Sequence, residues 1–365
     1  MADYIDPREV KASKQKKLKT AAIITLVVAI FIIGGALAAT RFNKNDAKIP
    51  GKEAVQSTTK TPELQICQLD GMSYSPDKAN RHPLAVIVEN HPDARPQSGL
   101  ADASIVYEAI TEGGITRFMA IFGPTDAKEI GPIRSARLFF MDFLKEYDAF
   151  FAHAGGNEDA LANIGNYGIK DLNHSSKYFQ RDYKGRSVAS EHTLYSSTDQ
   201  LYEYAKSKNY NIDSGSYQTL KFKADTPVSE GGKGIEINFS GSQTYAVKWT
   251  YNQSTNNYSR FMAAVEHKDR NTGAQITAKN IIIQEVSRTL QPHGSYGSEN
   301  WVFDTIGSGN AKVLRDGQII EATWKKADRT SRTKFFDANG TEIQFNPGNT
   351  WYEIAAKGTT KTTEI

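Results

Sequence analysis

The sequence predicts an α/β domain and a mainly antiparallel β domain, both preceded by one transmembrane helix. Three observations lead to this fold class: a long apolar run near the N-terminus, apolar strands mixed with helical patterns over residues 81–215, and alternating apolar and polar residues over residues 216–357. The chain has 365 residues, of which 39% are hydrophobic, so it is long enough for about two folded domains.

The charge balance and the cysteine count exclude several classes of protein. The chain carries 44 Lys and Arg residues against 41 Asp and Glu residues, a net charge of +3. Domains that bind nucleic acid usually carry a clustered positive excess, and no motif of that class occurs, so we expect no nucleic-acid partner. Cys67 is the only cysteine, so no intrachain disulfide can form.

The N-terminal part of the chain predicts a membrane anchor. Residues 1–20 are polar and rich in lysine, and residues 21–39 form an apolar run without a charged residue. About 20 apolar helical residues cross a bilayer, and excess lysine marks the cytoplasmic side. We expect a single-pass anchor in the cell membrane, with a cytoplasmic N-terminus, extracytoplasmic domains and a polar linker over residues 40–80. A cleaved secretory signal is the alternative, because residues 36–38 (Ala-Leu-Ala) resemble a signal-peptidase site.

The α/β domain is predicted over residues 81–215. Residues 84–88 (Leu-Ala-Val-Ile-Val) indicate a buried strand that ends in polar residues. Ser135 is the expected N-cap of a helix that runs to about Tyr147, because apolar residues recur there at helical spacing. Further strands are expected at 104–110, 116–122 and 149–152, with a hairpin turn at 111–115 and helices at 158–167 and 197–210.

The mainly β domain is predicted over residues 216–357, and residues 358–365 are expected to form a polar tail. The pairs Asp316-Gly317 and Asn339-Gly340 each lie between strand-like runs, which is a strong signal for a hairpin. Other strands are expected at 235–239, 245–251, 258–262 and 281–286.

Two arginines at the expected start of a helix suggest a binding site. The helix dipole already places partial positive charge there, so Arg134 and Arg137 need a negative partner. That partner is either a bound anion, held together with free backbone N–H groups, or a carboxylate of the protein itself. The candidate ligand-binding residues lie at strand ends and turns of the α/β domain, and they are Glu112, Arg117, Arg134, Arg137, His153, Asp182 and His192.

The two histidines of this set leave several roles open. A histidine beside a carboxylate suits a general base, a ligand-binding group or a structural hydrogen bond. The chain has no His-Glu-x-x-His motif and no pair of cysteines, so we predict neither a metal site nor a cofactor.

Several motifs occur in consistent order along the chain. They lie at residues 95–100, 105–108, 112–117, 131–137, 147–149, 153–156 and 191–195, and in the second half at 316–317, 323–326, 336–340 and 346–351. Together they resemble the YerB-like family of bacterial envelope proteins. The resemblance covers about residues 81–357 and implies an envelope location, but it implies no particular activity. Many members of that family are regarded as lipoproteins, whereas this chain has an apolar run without a cysteine just after it.

These observations lead to three functional hypotheses. The first is a membrane-anchored envelope protein whose α/β domain binds an anionic or polar ligand, such as cell-wall material. The second is an envelope hydrolase, with His153 or His192 as the base and Asp182 or Glu112 as its partner. The third is a scaffold whose β domain recruits another envelope protein, which an exposed apolar patch on that domain would favour.

Overall fold

A ten-stranded mixed β-sheet runs through the part of the chain that the computed structural model describes, residues 63–291 and 300–365. The expected basic segment, the transmembrane anchor at 21–39 and most of the linker lie outside the described residues. Within the described ranges, no helix has the length and the apolar character needed to cross a membrane.

The first half of the described chain mixes strands and helices, as expected for an α/β region. The strands expected at 84–88, 104–110, 116–122 and 149–152 are all present within one residue of the expected bounds. In chain order the elements are β1 (Gln65–Ile66), β2 (Ser73–Tyr74), α1 (Pro76–Ala79), β3 (Leu84–Glu89), β4 (Ile105–Ile110), β5 (Thr116–Phe122), α2 (Leu138–Leu144), β6 (Phe150–His153), α3 (Glu158–Asn166), β7 (Lys170–Asn173), β8 (Gln180–Arg181), β9 (Leu194–Tyr195) and α4 (Thr198–Ser207).

The second half is rich in strands, also as expected. The Asp316-Gly317 pair forms the tight turn between β18 (Gly307–Arg315) and β19 (Gln318–Lys326), with φ angles of 54° and 76°. The remaining strands are β10 (Ile235–Asn238), β11 (Ala246–Asn252), β12 (Asn257–Met262), β13 (Val265–Glu266), β14 (Thr277–Ala278), β15 (Asn280–Val286), β16 (Arg288–Gln291), β17 (Asn300–Phe303), β20 (Lys334–Phe336), β21 (Thr350–Ala356) and β22 (Lys361–Glu364).

The main sheet contains strands from both halves of the sequence. Its order is β20-β19-β18-β15-β21-β4-β5-β3-β6-β7. The pairs β15–β21, β21–β4, β3–β6 and β6–β7 are parallel, and the other pairs are antiparallel. Because β21 of the second half pairs with β4 of the first, the two halves are built on a common sheet. The boundary expected at residue 215 stays a prediction.

Both faces of the main sheet are covered. Neighbouring residues of a strand point to opposite faces, so Val86 and Ile87 of β3 enter different apolar clusters. On one face α2 supplies Phe140, and on the other a second sheet of order β13-β12-β11-β10-β22 supplies Trp249, which lies against Trp351 of the main sheet. Burial on both faces explains why β3 is a continuous apolar run.

The segment 131–137 does not begin a helix at Ser135, and that expectation is wrong. Helix α2 begins at Leu138, the backbone of Arg137 is extended with φ of −132°, and the Ser135 hydroxyl donates to Ala154 O at 3.1 Å. The backbone groups of this segment are used instead in isolated bridges to neighbouring chain. These bridges join Gly131 to Ser98, Ile133 to Val88 and Ala136 to Gly156.

Two stretches expected to lack regular structure contain strands. Residues 63–80, from the expected linker, form β1, β2 and α1, and they bury Cys67 and Leu69 in the core. Residues 361–364, from the expected tail, form β22, which pairs with β10. The side chains of β22 are exposed and include no apolar residue, so no hydrophobic periodicity marks it in the sequence.

Candidate functional site

Polar side chains meet at one edge of the main sheet, where β3 and β6 end. Glu89 is the last residue of β3, and it lies opposite Arg117 of the antiparallel β5. His153 is the last residue of β6, which runs parallel to β3. The segment 131–137 crosses this edge and brings its arginines there. Most of the candidate residues are therefore brought together, although they come from separate parts of the chain.

Glu112 forms ion pairs with two of the three candidate arginines, Arg117 and Arg137. It lies in the turn between β4 and β5, where its Oε1 accepts from Arg117 Nη2 at 3.0 Å and its Oε2 accepts from Arg137 Nε at 2.9 Å. Burial alone would raise the pKa of Glu112, but the two guanidinium groups outweigh it and lower that pKa to about 2. The same arginines donate to Ser135 O and Ala136 O, at 2.8 and 2.7 Å.

This arrangement, which we name the Glu112 cluster (Glu112, Arg117 and Arg137), fixes the crossing segment to the β4–β5 turn. Both arginines already have a carboxylate partner and a carbonyl partner. Of the two alternatives, a carboxylate of the protein is the partner that the structure shows for Arg137. That these arginines also bind an external ligand stays a prediction.

Glu89 is the centre of a second group. Its side chain is 5% exposed, and its Oε2 lies 2.9 Å from His192 Nδ1. Its Oε1 lies 3.0 Å from Arg134 Nε, as an ion pair whose angle is not that of a hydrogen bond. Arg134 also contacts the exposed Glu191, at 3.3 Å. The third candidate arginine is thus paired with two carboxylates.

Two further residues, His91 and Asp93, lie beside the His192 ring. The His91 ring stacks on the His192 ring, with centroids 4.7 Å apart and planes 12° apart. Asp93 Oδ2 lies 4.0 Å from His192 Nε2 and 3.7 Å from His91 Nδ1. The side chains of His91 and Asp93 are 36% and 54% exposed, whereas that of His192 is 8% exposed, so the group reaches solvent mainly through His91 and Asp93. We name the group Glu89, His91, Asp93, Arg134, Glu191 and His192 the Glu89 cluster.

His153 makes contacts that leave no ring nitrogen free. Its Nδ1 lies 2.7 Å from Gly155 O, and its Nε2 lies 2.9 Å from Asp171 Oδ1. The side chain is fully buried. Because both ring nitrogens face acceptors, neither offers a lone pair to a substrate, which favours the structural hydrogen-bonding role.

Among the described residues, Asp182 pairs with Lys184 and makes no hydrogen bond or ion pair with a member of either cluster. Its carboxylate accepts from the backbone N–H of Lys184 at 2.8 Å and pairs with the Lys184 ammonium group at 2.7 Å. The same ammonium group reaches Glu129, so Asp182 belongs to a surface ion-pair group. The carboxylate partners of the histidines are therefore Glu89 and Asp171, not the expected Asp182 and Glu112.

Sequence reasoning missed His91 and Asp93 as site residues and did not select Glu89. The signal that was present is the run Glu89-Asn-His-Pro-Asp93 directly after a buried strand, because a strand end places polar side chains at a sheet edge. The pairing of this run with His192 joins residues 103 positions apart, and no local pattern encodes it.

Two grooves on the described surface lie away from the candidate residues. One of about 430 Å³ is lined by Glu285, Lys312 and Glu321 among others, and one of about 600 Å³ by Lys248 and Phe261 among others. Neither includes a candidate ligand-binding residue. The Glu89 cluster lies outside both grooves, and its exposed members are polar.

Comparisons with known proteins place the chain among proteins without an assigned activity. Models of the N-terminal and C-terminal domains of a protein of unknown function (DUF3048) match residues 69–211 and 235–352. The chain is 29% identical over 309 residues to "Putative lipoprotein YerB" of Bacillus subtilis (strain 168). The matched region covers 83% of this chain and 89% of that protein. The chain is also similar to a crystal structure of the YerB protein from Bacillus subtilis, with a TM-score of 0.72 and 28% identity, covering 82% of this chain and 99% of that one. These matches confirm the resemblance expected from the motifs.

Proposed function

The chain belongs to the DUF3048 family, which includes YerB, and from this membership we propose that it is a membrane-anchored, extracytoplasmic envelope protein that binds a polar ligand at the Glu89 cluster. The observation that carries the ligand-binding part is the contact between the buried Glu89 carboxylate and His192 Nδ1 at 2.9 Å. This contact leaves the other ring nitrogen, Nε2, beside the partly exposed Asp93 and His91. A polar ligand is offered an oriented imidazole nitrogen and the exposed Asp93 carboxylate there.

The charges of the site favour a polar ligand over an anion. Arg117 and Arg137 are neutralised by Glu112, and Arg134 lies between Glu89 and Glu191. An anion would have to displace these carboxylates, and breaking a buried or half-buried ion pair is strongly unfavourable. Neutral, hydroxyl-rich or amide-rich cell-wall material meets no such obstacle.

The envelope location is supported by the family and by the N-terminal sequence. The relative from Bacillus subtilis is described as a lipoprotein, a class held at the membrane by a lipid on cysteine. In this chain the only cysteine, Cys67, is buried in the fold, so we assign the anchoring role to the apolar segment 21–39.

A hydrolase is the second candidate, and one specific observation favours it. A carboxylate that holds the Nδ1 proton of a histidine leaves Nε2 as an acceptor, which is the arrangement of a general base. His192 and Glu89 have the contact that this arrangement needs, and Nε2 of His192 lies 4.0 Å from the half-exposed Asp93 carboxylate. The base and its partner would thus be His192 and Glu89.

Binding to purified cell-wall sacculi tests both candidates. The full-length chain, purified in detergent, would be incubated with sacculi, and both bound protein and released soluble fragments would be measured. We expect binding that is reduced in a His192→Ala variant and unchanged in His174→Ala, which removes an exposed histidine outside the cluster. Fragment release that depends on His192 would favour the hydrolase. Equal binding by wild type and His192→Ala would rule out the Glu89 cluster as the binding site.

A further inference from the structure

We infer that His91, Asp93 and His192 together bind one divalent first-row transition-metal ion, with Glu89 as the outer carboxylate that orients His192. The inference deepens the proposed function and rests on it for the choice of site, because the ion would occupy the open side of the Glu89 cluster. Among the described residues, these three offer one donor atom each, and all three atoms lie within 4.8 Å of one another.

The distances between the donor atoms suit a common ion after small movements. Asp93 Oδ2 lies 3.7 Å from His91 Nδ1 and 4.0 Å from His192 Nε2. Zinc bonds to nitrogen and oxygen are about 2.0–2.2 Å long, so two donors on one ion lie roughly 3–3.5 Å apart. A shift of less than about 1 Å in the half-exposed aspartate brings its oxygen to that distance from each nitrogen, whereas the two ring nitrogens share one ion only after a ring has moved.

Glu89 supplies a feature that a chance surface grouping lacks. Histidines that bind metal commonly donate their second ring N–H to a carboxylate, which fixes the tautomer and the ring orientation. Glu89 Oε2 lies 2.9 Å from His192 Nδ1, and the Glu89 side chain is only 5% exposed. The contact of His192 with Glu89 has this geometry, and it leaves Nε2 on the side of the ring where Asp93 lies.

Metal binding requires one ring to move. The His91 and His192 rings are stacked with planes 12° apart, and two stacked rings cannot both point in-plane lone pairs at one ion. The His91 side chain is 36% exposed and accepts only the backbone N–H of Asp93, at 3.2 Å, whereas the His192 side chain is 8% exposed. We therefore expect the His91 ring to leave the stack when the ion binds, while His192 stays in place.

The donor set selects the class of ion. Two imidazoles and one carboxylate suit Zn²⁺ and its first-row neighbours, whereas Mg²⁺ and Ca²⁺ prefer ligand sets made of oxygen. Three protein ligands leave at least one position on the ion open, as in zinc sites that hold a water molecule or a substrate. Such a position would face solvent here and would be available to the polar ligand of the proposed function.

Direct measurement of bound zinc tests the inference. The full-length chain, prepared without a polyhistidine tag and stripped with EDTA, would be dialysed against Zn²⁺, and bound metal would be quantified by mass spectrometry and by titration calorimetry. We expect one equivalent of zinc and no binding of Mg²⁺ at the same concentration. Asp93→Asn and His192→Ala should abolish binding, and Glu89→Gln should weaken it by roughly 10–100-fold.

The controls separate loss of metal from loss of fold. Asp93 is more than half exposed, so Asp93→Asn should keep the wild-type thermal midpoint when no metal is present. His174→Ala should bind zinc like the wild type. Less than one equivalent in the wild type, or zinc binding that survives both Asp93→Asn and His192→Ala, would overturn the inference.

A sacculus assay with and without EDTA keeps this inference distinct from the proposed function. Sacculus binding without zinc binding would leave the proposed function standing and overturn the metal site. Zinc binding without sacculus binding would support the metal site and reject cell-wall material as its ligand.

Discussion

Replacing Glu353 with glutamine should remove a loss of stability at alkaline pH. Glu353 of β21 lies beside Glu108 of β4, and both side chains are fully buried with Arg260. Trp249 Nε1–H donates to Glu353 Oε1 at 2.7 Å, and Arg260 pairs with Glu108. Burial, and then repulsion from Glu108, raise the pKa of Glu353 to about 8. At neutral pH Glu353 is therefore protonated.

The size of the effect follows from the folded and unfolded pKa values. Glu353 has an ordinary pKa of 4.5 when unfolded and about 8 when folded. Between these values unfolding releases a proton, so rising pH favours the unfolded state, and the loss levels off above the folded-state pKa. From about pH 6 to about pH 9, these two values give a loss of about 3 kcal/mol in the free energy of unfolding.

Chemical denaturation followed by tryptophan fluorescence across this pH range measures the effect. Glutamine keeps an acceptor for Trp249 and offers an N–H group to Glu108, as the protonated acid does, but it cannot ionise. Between about pH 6 and about pH 9, the free energy of unfolding of Glu353→Gln should therefore fall by about 3 kcal/mol less than that of the wild type. Glu203→Gln, which removes an exposed carboxylate from α4, should follow the wild type. Parallel pH profiles for the wild type and Glu353→Gln would refute the reasoning, because every other titrating group is common to both.

Three further substitutions have expected effects on stability. Glu146→Gln should lower the free energy of unfolding by about 3–5 kcal/mol, because Lys326 and Arg332 would stay buried without their counter-charge. A loss below about 1 kcal/mol in urea denaturation would contradict this. Ala264→Gly should raise stability by about 1 kcal/mol, because Ala264 has a left-handed backbone with φ of 63°, and a lower melting temperature would count against it. Glu112→Gln should lower the free energy of unfolding by about 3 kcal/mol at neutral pH. The difference from the wild type should shrink as the pH falls from about 4.5 toward 2, because Glu112 itself becomes protonated there. Denaturation at both ends of that pH range tests this expectation.

The sequence predicts those parts of the fold in which local signals and long-range contacts agree. The apolar run of β3 is buried on both faces, and the Asp316-Gly317 turn needs two left-handed residues, so each is visible without knowledge of its neighbours. The start of α2 and the strand β22 were misjudged because backbone pairing with distant chain decides them. Ser135 is a good N-cap by type, but the segment 131–137 is held in an extended form by bridges across the sheet edge.

The candidate site was predictable in residue type and position but not in pairing. Polar residues after buried strands indicated the sheet edge at which the structure brings most of the candidate residues together, and an arginine–carboxylate pair was one of the alternatives for Arg134 and Arg137. Which carboxylate each arginine meets depends on the register of β3 against β5 and on the path of the crossing segment. The same holds for His192, whose partner Glu89 is fixed by tertiary packing rather than by spacing along the chain.

The two carboxylate clusters differ in how many hydrogen-bonding groups they leave unused, and this difference is why we propose a ligand site at Glu89 rather than at Glu112. In the Glu112 cluster, Arg137 donates through all of its guanidinium nitrogens to Glu112 and to a backbone carbonyl, so the group is complete as a structural clamp. In the Glu89 cluster, His192 uses Nδ1 alone, and its Nε2 lies 4.0 Å from Asp93 Oδ2, beyond hydrogen-bond distance. This nitrogen lies beside a second histidine and a carboxylate and makes no hydrogen bond to either, so the fold leaves its bonding capacity unused. This is the arrangement that a bound metal ion or ligand would complete.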